Sequence, residues 1–314
     1  MRITASHRTS PYASLSSLTS NALSVDSQSV QDNYRPSQSP YGTSELVWAR
    51  GLQSGTAAAR GDFATAFRWD DKPSDVPFAR RDFVFFPEGE VMVLDRVRTD
   101  SASRNVYLRF RTQAQLSYAD PVAKGNVGGS QIAIHKVVLS GGTPSTRSPS
   151  VGQNCTGNNF GTCDISRVSC SEYSVKIPGP NAVALHVIDG LASGDAVPQV
   201  DAITDQGITG ASVPRGNIRL VIAASSAQDG APPQQMKYGV AGDIASRHVV
   251  YDAPEDSAGK SNVTAAPEGG KCTVTITAGA GFDGRPLAFV VSPASDGCKV
   301  TEDKGVTPLA NPGG

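Results

Sequence analysis

Two close pairs of arginines stand in the first half of this chain, Arg80-Arg81 and Arg109-Phe110-Arg111. Guanidinium groups are planar and offer paired N–H donors, so four of them on neighbouring strands suit carboxylate and sulfate groups. On a solvated outer face the same residues would need no ligand, and both readings stand. Aromatic rings form a second set. Tyr34, Tyr41, Trp48 and Trp69 would stack on sugar rings if they face water, whereas buried they are core residues. Trp69 precedes Asp70-Asp71-Lys72-Pro73, a turn-like run at a strand end, and is the best surface candidate of the four. Asp95-Arg96 closes an apolar run. It reads either as a charge pair lining a cleft or as a strand-end ion pair holding a hairpin.

Other chemistry finds less support. The histidines are scattered. His135 and His186 lie within apolar strands and read as satisfied core residues, and His248 opens a strand after Ser246-Arg247. None stands near a Ser-Asp or Cys set that would spell nucleophilic catalysis. There is no complete Gly-x-x-x-x-Gly-Lys-Ser/Thr phosphate loop, and no Gly-x-Gly-x-x-Gly run opens a helix as a dinucleotide fingerprint would, so no cofactor is expected. Cys155, Cys163 and Cys170 sit in a Gly/Asn/Ser-rich stretch, and Cys272 and Cys298 flank a C-terminal hairpin. These spacings do not fit a zinc site. They look like the disulfides of an exported protein, with inert free thiols as the alternative. A secreted or periplasmic location is therefore expected, although Met1–His7 shows no apolar signal core. Either the chain is intracellular or this Met starts a fragment, and the cysteines favour the second. The sequons at Asn154 and Asn262 say little without a known host.

The elements that must position these residues are strands. Charged residues make up 18% of the 314 and the formal net charge is -1, so the electrostatic case for nucleic-acid binding is missing. No apolar run approaches the ~20 residues that span a bilayer. Short apolar runs follow one another at Ala22–Asp26, Glu45–Arg50, Asp62–Trp69, Asp82–Phe86, Val91–Val97, Asn105–Thr112, Gln131–Leu139, Tyr173–Ile177, Ala182–Ile188, Asn217–Ala223, Val249–Tyr251, Cys272–Thr277 and Leu287–Val291. No segment carries a sustained helical stripe. Pro87-Glu88-Gly89-Glu90 marks a hairpin turn, and residues 140–170 read as a long loop. In Asn105–Thr112, alternation puts Val106, Leu108 and Phe110 on one face and Tyr107, Arg109 and Arg111 on the other. The expected fold is all-β, a large multi-stranded antiparallel β-sandwich. Residues 1–19 read as a flexible segment and 20–314 as the sandwich, with 249–300 as a smaller C-terminal β subregion.

The order of these elements resembles the C-terminal β-sandwich domain of heparinase II/III-like polysaccharide lyases. Ser20-Asn21-Ala22-Leu23-Ser24-Val25-Asp26-Ser27-Gln28 is similar to that family's opening strand, Gly61–Phe67 to its Gly-Asp-x-x-x-x-aromatic strand, and Arg81–Val97 to its Pro-centred hairpin ending in Asp-Arg-Val. Ile132–Leu139 and Ala184–Ile203 match later strands weakly. The resemblance implies a substrate class of uronic-acid polysaccharides, a cleft shared with a toroid domain, and β-elimination by Tyr and His. This chain departs from the pattern where the chemistry should be. Ser20 stands in the His slot and Ala22 in the Thr slot, and no helical toroid precedes them. His7 offers another alignment but leaves the next strand unmatched. Asp62 and Asp95 could be offered for the zinc of some members, yet Phe110-Arg111 lacks the partner His, so no metal is expected.

The resulting expectation is a sandwich that binds or helps act on acidic polysaccharides and lacks lyase activity without a separately encoded toroid. The alternative is a stand-alone carbohydrate-binding or cell-surface structural module. The expected ligand-binding residues are Arg80, Arg81, Arg109, Arg111, Trp69 and Tyr41.

Overall fold

The computed structural model describes residues 23–26, 44–51, 55–68, 74–147, 171–205, 208–216, 218–225, 235–241, 244–250, 262–268, 271–277 and 287–293. Its strands in chain order are β1 Ser24–Val25, β2 Glu45–Gly51, β3 Ala57–Asp62, β4 Phe78–Phe85, β5 Glu90–Arg98, β6 Asn105–Thr112 and β7 Ser117–Ala119. There follow β8 Val122–Val127, β9 Ser130–Leu139, β10 Pro144–Arg147, β11 Ser171–Pro178, β12 Asn181–Ala192 and β13 Asp201–Asp205. The last are β14 Ile208–Arg215, β15 Ile218–Ser225, β16 Gln235–Ala241, β17 Ile244–Val250, β18 Asn262–Glu268, β19 Lys271–Thr277 and β20 Leu287–Pro293. The described residues contain no α-helix, only a 3-10 turn at Ala64–Phe67. None of their helices is long and apolar enough to cross a membrane.

The strands form four antiparallel sheets. Sheet A runs β1-β6-β11-β10, sheet B β2-β3-β4-β5-β12-β9-β8-β7, sheet C β13-β14-β15-β20-β17 and sheet D β16-β19-β18. Sheet B is the middle layer of a stack. One face packs on sheet A through Ala79, Val97, Leu108, Val175 and Ile177 and, further along, Val93, Phe110, Ile134 and Ile188. The other face packs on sheet C, where Val84, Met92, Leu94, Leu185 and Val187 meet Ala211, Val213, Leu220 and Ile222. Burial on both faces explains why Ala182–Asp189 is buried without interruption and why the strands read as unbroken apolar runs.

The hairpin of β4 and β5 forms as its turn residues predict. Phe85 pairs with Val91 and Phe78 with Arg98. The Phe86 N–H donates to Glu90 O at 2.9 Å, and Gly89 supplies the turn's φ of +112. Asp95 and Arg96 do not pair with each other, nor do they end the strand. Adjacent strand residues point to opposite faces, so each finds its own partner across the hairpin. Toward sheet A, Asp95 accepts from Arg81 Nε and Nη2 at 2.6 and 3.0 Å. Toward sheet C, Asp82 accepts from Arg96 Nη2 at 2.8 Å and from Arg60 Nε at 2.5 Å. Arg96 Nη1 also donates to Ser225 O at 2.8 Å, tying the middle sheet to sheet C. All of these groups are buried.

A second link joins the same two sheets. Arg215 of β14 bonds both Glu90 and Asp189, which face each other across β5 and β12. Burial pushes the Glu90 carboxyl up from 4.5 to about 7, against the pull of Arg215 and with the charge of Asp189 adding.

Two expectations change. The strand expected at Asp62–Trp69 stops at Asp62, because the Asp62 carboxylate accepts the Ala64 N–H at 3.0 Å and turns the chain into the 3-10 turn. The loop expected at 140–170 contains β10, paired with β11 from Pro144↔Val175 to Arg147↔Glu172. Residues 1–19, and Cys155, Cys163, Cys170 and Cys298, lie outside the described residues. The strands within 249–300 divide between sheets C and D.

Asp82→Asn should lower unfolding free energy by ~3–5 kcal/mol, because two buried guanidinium groups lose their counter-charge. Arg80→Ala, at a partly exposed pair on the same strand, should cost less, about 1 kcal/mol. Urea titrations at neutral pH compare the two, and equal losses would count against the buried triad. Glu90 binds its proton more tightly when folded, so its contribution is complete below pH 4.5 and is lost as pH rises through about 7. Glu90→Gln should remove that decline, worth at most about 3 kcal/mol, from a stability-versus-pH curve.

Candidate functional site

Strand alternation on sheet A sends Tyr107, Arg109 and Arg111 away from the core, as their spacing predicts. The pairing register then completes a face. Arg111 lies opposite Glu172, and Glu172 lies opposite Arg147 of β10. Arg109 lies opposite Ser174, and Tyr107 lies between Ser24 and Lys176. Three guanidinium groups converge on one carboxylate. Arg111 Nη2 is 2.6 Å and Arg147 Nη2 2.8 Å from Glu172, while Arg109 Nε stands at 3.9 Å. Arg109 donates to the Ser24 hydroxyl at 2.6 Å instead. The cluster thus carries two positive charges more than its single carboxylate cancels.

The exposure of these groups is graded. Arg109 and Arg111 are buried, which corrects the reading of a solvated outer face. Burial lowers the Arg109 pKa; Glu172 opposes the shift and Arg147 and Arg111 add to it. The Arg147 side chain is 51% exposed and Lys176 lies at the surface. Beside Lys176, Tyr107 is flanked by two cations, with the Arg109 guanidinium 5.2 Å and the Lys176 ammonium 5.9 Å from its ring centre. Its hydroxyl donates to Asp26 at 2.9 Å, and burial together with that bond pushes its pKa up to about 12.

The other expected site residues scatter. Arg80 reaches solvent in part, pairs with Asp62 at 3.0 Å and lies 4.9 Å from the Phe78 ring centre. Arg81 is buried on Asp95 between Phe83 and Phe110. Tyr41 and Trp69 lie outside the described residues. Both carboxylates offered as metal ligands are engaged by arginines, Asp62 by Arg80 and Asp95 by Arg81. Among the described residues no group of three or more His, Cys, Asp or Glu side chains is arranged to hold a metal ion.

The chemistry of an acid–base couple does occur, but inside. The Tyr173 hydroxyl and His186 Nε2 are 3.0 Å apart, both fully buried, with Phe110 edge-on to the imidazole at 5.1 Å. Burial drops the His186 pKa from 6.5 to about 3, with the Arg81 charge adding, and burial raises Tyr173 above its ordinary value. Both inward histidines lie in the core as expected. Neither is fully satisfied, since His186 Nδ1 and His135 Nε2 have no hydrogen-bond partner among the described residues. His135 Nε2 stands 3.3 Å from Asp189 Oδ2.

Sequence reasoning put Tyr107 on the outer face without naming it a site residue, and it missed Arg147, Glu172 and Lys176. Alternation in Ser171–Pro178 could have put Glu172, Ser174 and Lys176 on the outer face. Arg147 carried no signal, because its strand is short and Gly/Ser/Pro-flanked.

No family model and no curated protein matches the chain. Among solved structures, a mutant of heparan sulfate lyase HepC from Pedobacter heparinus aligns over 66% of this chain at 9% identity, with a TM-score of 0.46. A heparinase III aligns over 65% at 10% identity with a TM-score of 0.44, and a chondroitin AC lyase mutant from Streptomyces coelicolor over 83% at 12% identity with 0.28. The chain spans 30% of the length of the first, 29% of the second and 37% of the third.

Because His186 is held neutral in the fold and protonates freely once unfolded, its contribution is complete above pH 6.5 and is lost as pH falls toward about 3. His186→Gln keeps an acceptor for Tyr173 and removes the titration. The gap between the acid limbs of the two stability curves should reach at most roughly 5 kcal/mol. Superimposable limbs would mean that His186 is not buried as the structure has it.

Proposed function

We propose that this chain is a lyase-type β-sandwich that binds acidic, uronic-acid polysaccharides across the outer face of sheet A. The observation that carries this reading is the three-to-one ratio of guanidinium groups to carboxylate around Glu172. An anionic sugar would meet a net positive face with an aromatic ring set in it. Arg147 and Lys176 would make the outer contacts. Arg109 and Arg111 would act from beneath, holding Glu172 and supplying field rather than contact. Arg80, which reaches solvent in part, keeps a proposed contact with the ligand, and Tyr41 and Trp69 keep a proposed stacking role; Arg81, closed on Asp95, would serve the scaffold instead. The resemblance seen in the sequence supplies the substrate class and the proposed toroid partner, and export follows from the cysteine pattern.

We further propose that the chain alone does not perform β-elimination. That reaction needs a base at C5 and an acid at the leaving oxygen, each within reach of substrate. Tyr107, Tyr118 and Tyr173 all have raised pKa values, with burial the first cause in each, so none is poised to give up its proton. The Tyr173–His186 couple is sealed from solvent. The burial of Arg109 and Arg111 also favours a second reading, a structural surface module whose arginines serve only packing.

Affinity electrophoresis in heparan sulfate and in alginate separates these readings. The chain should be retarded at low salt and released as salt screens the face. Arg147→Ala with Lys176→Ala should weaken retention at least ~5-fold, the loss of one or two exposed charge contacts. Ultraviolet absorbance of unsaturated products should stay flat. Product formation by this chain alone would refute the inactivity, and absence of retention by every uronate polymer would leave the structural module.

A further inference from the structure

We propose a second carbohydrate site, for a neutral sugar ring, in the cavity at the open end of the space between sheets A and B. It adjoins the cationic face, sharing Arg111 with it, but its argument stands without that reading. The cavity has a volume of about 680 Å³, within the usual range of small-ligand pockets. Strands β4, β5, β8, β9 and β12 and the end of β6 line it. Four large apolar side chains are exposed among the described residues, and two of them, Phe85 and Val127 at 43% each, meet here. Singly exposed apolar residues need no explanation, but two converging on one concavity do.

The lining selects its ligand by what it offers and what it lacks. Phe85, Val91, Val127 and Ile132 give an apolar wall. Gly89 and Gly190 leave the backbone bare, and a Cβ on Gly89 would come within 3.4 Å of Gly190 O. Gln113, Gln131, Ser130 and Thr112 add amides and hydroxyls. The one charged lining residue, Arg111, has Nε and Nη2 on Glu172 at 2.8 and 2.6 Å. An anion would therefore find no uncommitted cation, and a cation would find no carboxylate. A purely apolar ligand would strip water from the amides without replacing its hydrogen bonds. A pyranose ring answers both parts of the lining, with an apolar C–H face for Phe85 and hydroxyls for the amides. Gln131 Oε1 is already buried without a hydrogen-bond partner among the described residues, and a small rotation of its amide toward the cavity would let a ligand hydroxyl donate to it.

Saturation-transfer NMR with cellobiose and with N-acetylglucosamine tests this directly, using the full chain. Binding in the range of ~1 mM is expected for one or two rings, unaffected by salt because no charge is involved. Phe85→Ala should weaken it at least ~5-fold through the lost ring face. Gln131→Leu should also weaken it, with an unchanged or higher melting temperature, since it removes a buried acceptor that lacks a partner; a packing role would lower the melting temperature. Arg147→Ala with Lys176→Ala should leave neutral-sugar binding intact. The proposal is overturned if neither sugar binds at ~50 mM, a level far above useful affinity, if Phe85→Ala or Gln131→Leu changes nothing, or if a uronate displaces the neutral sugar in a salt-dependent way.

Discussion

Everything in this molecule hangs on a middle sheet that is buried on both faces and yet carries ionised side chains. Arg60, Arg96 and Asp82 sit on the side of sheet C, and Arg81 and Asp95 on the side of sheet A. Removed from water, each charge is tolerable only with its partner in place. The pairs join β3 to β4 and β4 to β5, so they also fix register. A slip of one residue would carry Asp82 to the face of Asp95 and leave Arg60 and Arg96 without a counter-ion. Apolar packing alone would not distinguish the two registers so sharply, because both faces of these strands are apolar.

The outer face of sheet A uses the same chemistry with a different balance. In the middle sheet Arg81 meets one carboxylate in a bidentate pair, and the triad around Asp82 is closed off by Ser225. Around Glu172 three guanidinium groups share one carboxylate, and the outermost is half in water. A closed pair has little left to offer a ligand. An unbalanced cluster with an exposed member retains attraction for anions, and Lys176 extends it along β11. On the proposed reading, what would separate a binding from a structural arginine is stoichiometry and access, not residue type.

That distinction explains how much could be read from the sequence. The all-β class, the β4–β5 hairpin and the outward placement of Tyr107, Arg109 and Arg111 follow from alternation and turn residues, which are local. The 3-10 turn after Asp62 escaped because Phe63, Ala64, Ala66 and Phe67 give a strand-like pattern, and one side-chain bond to the Ala64 N–H decides otherwise. The partners of Asp95 and Arg96 escaped because neighbours in sequence point to opposite faces and find counter-ions across the hairpin. Glu172 and Arg147 come from strands 61 and 36 positions away from Arg111, and only register brings them together.

The Tyr173–His186 couple shows the same limit from the other side. Its residue types and 3.0 Å spacing are those of an acid–base pair, and a search by chemistry alone would choose it first. Burial decides against it twice. It keeps substrate away, and it moves both groups out of the range where a proton can be exchanged near neutral pH: the imidazole falls to about 3 and the phenol rises. The apolar shell that shields Arg81 and Asp95 is the shell that silences this pair. A catalytic role for His186 would require opening the core around Phe110, the ring that packs against both its imidazole and Arg81. The requirement for a dry middle layer thus leaves the periphery for ligand chemistry, where both proposed sites lie.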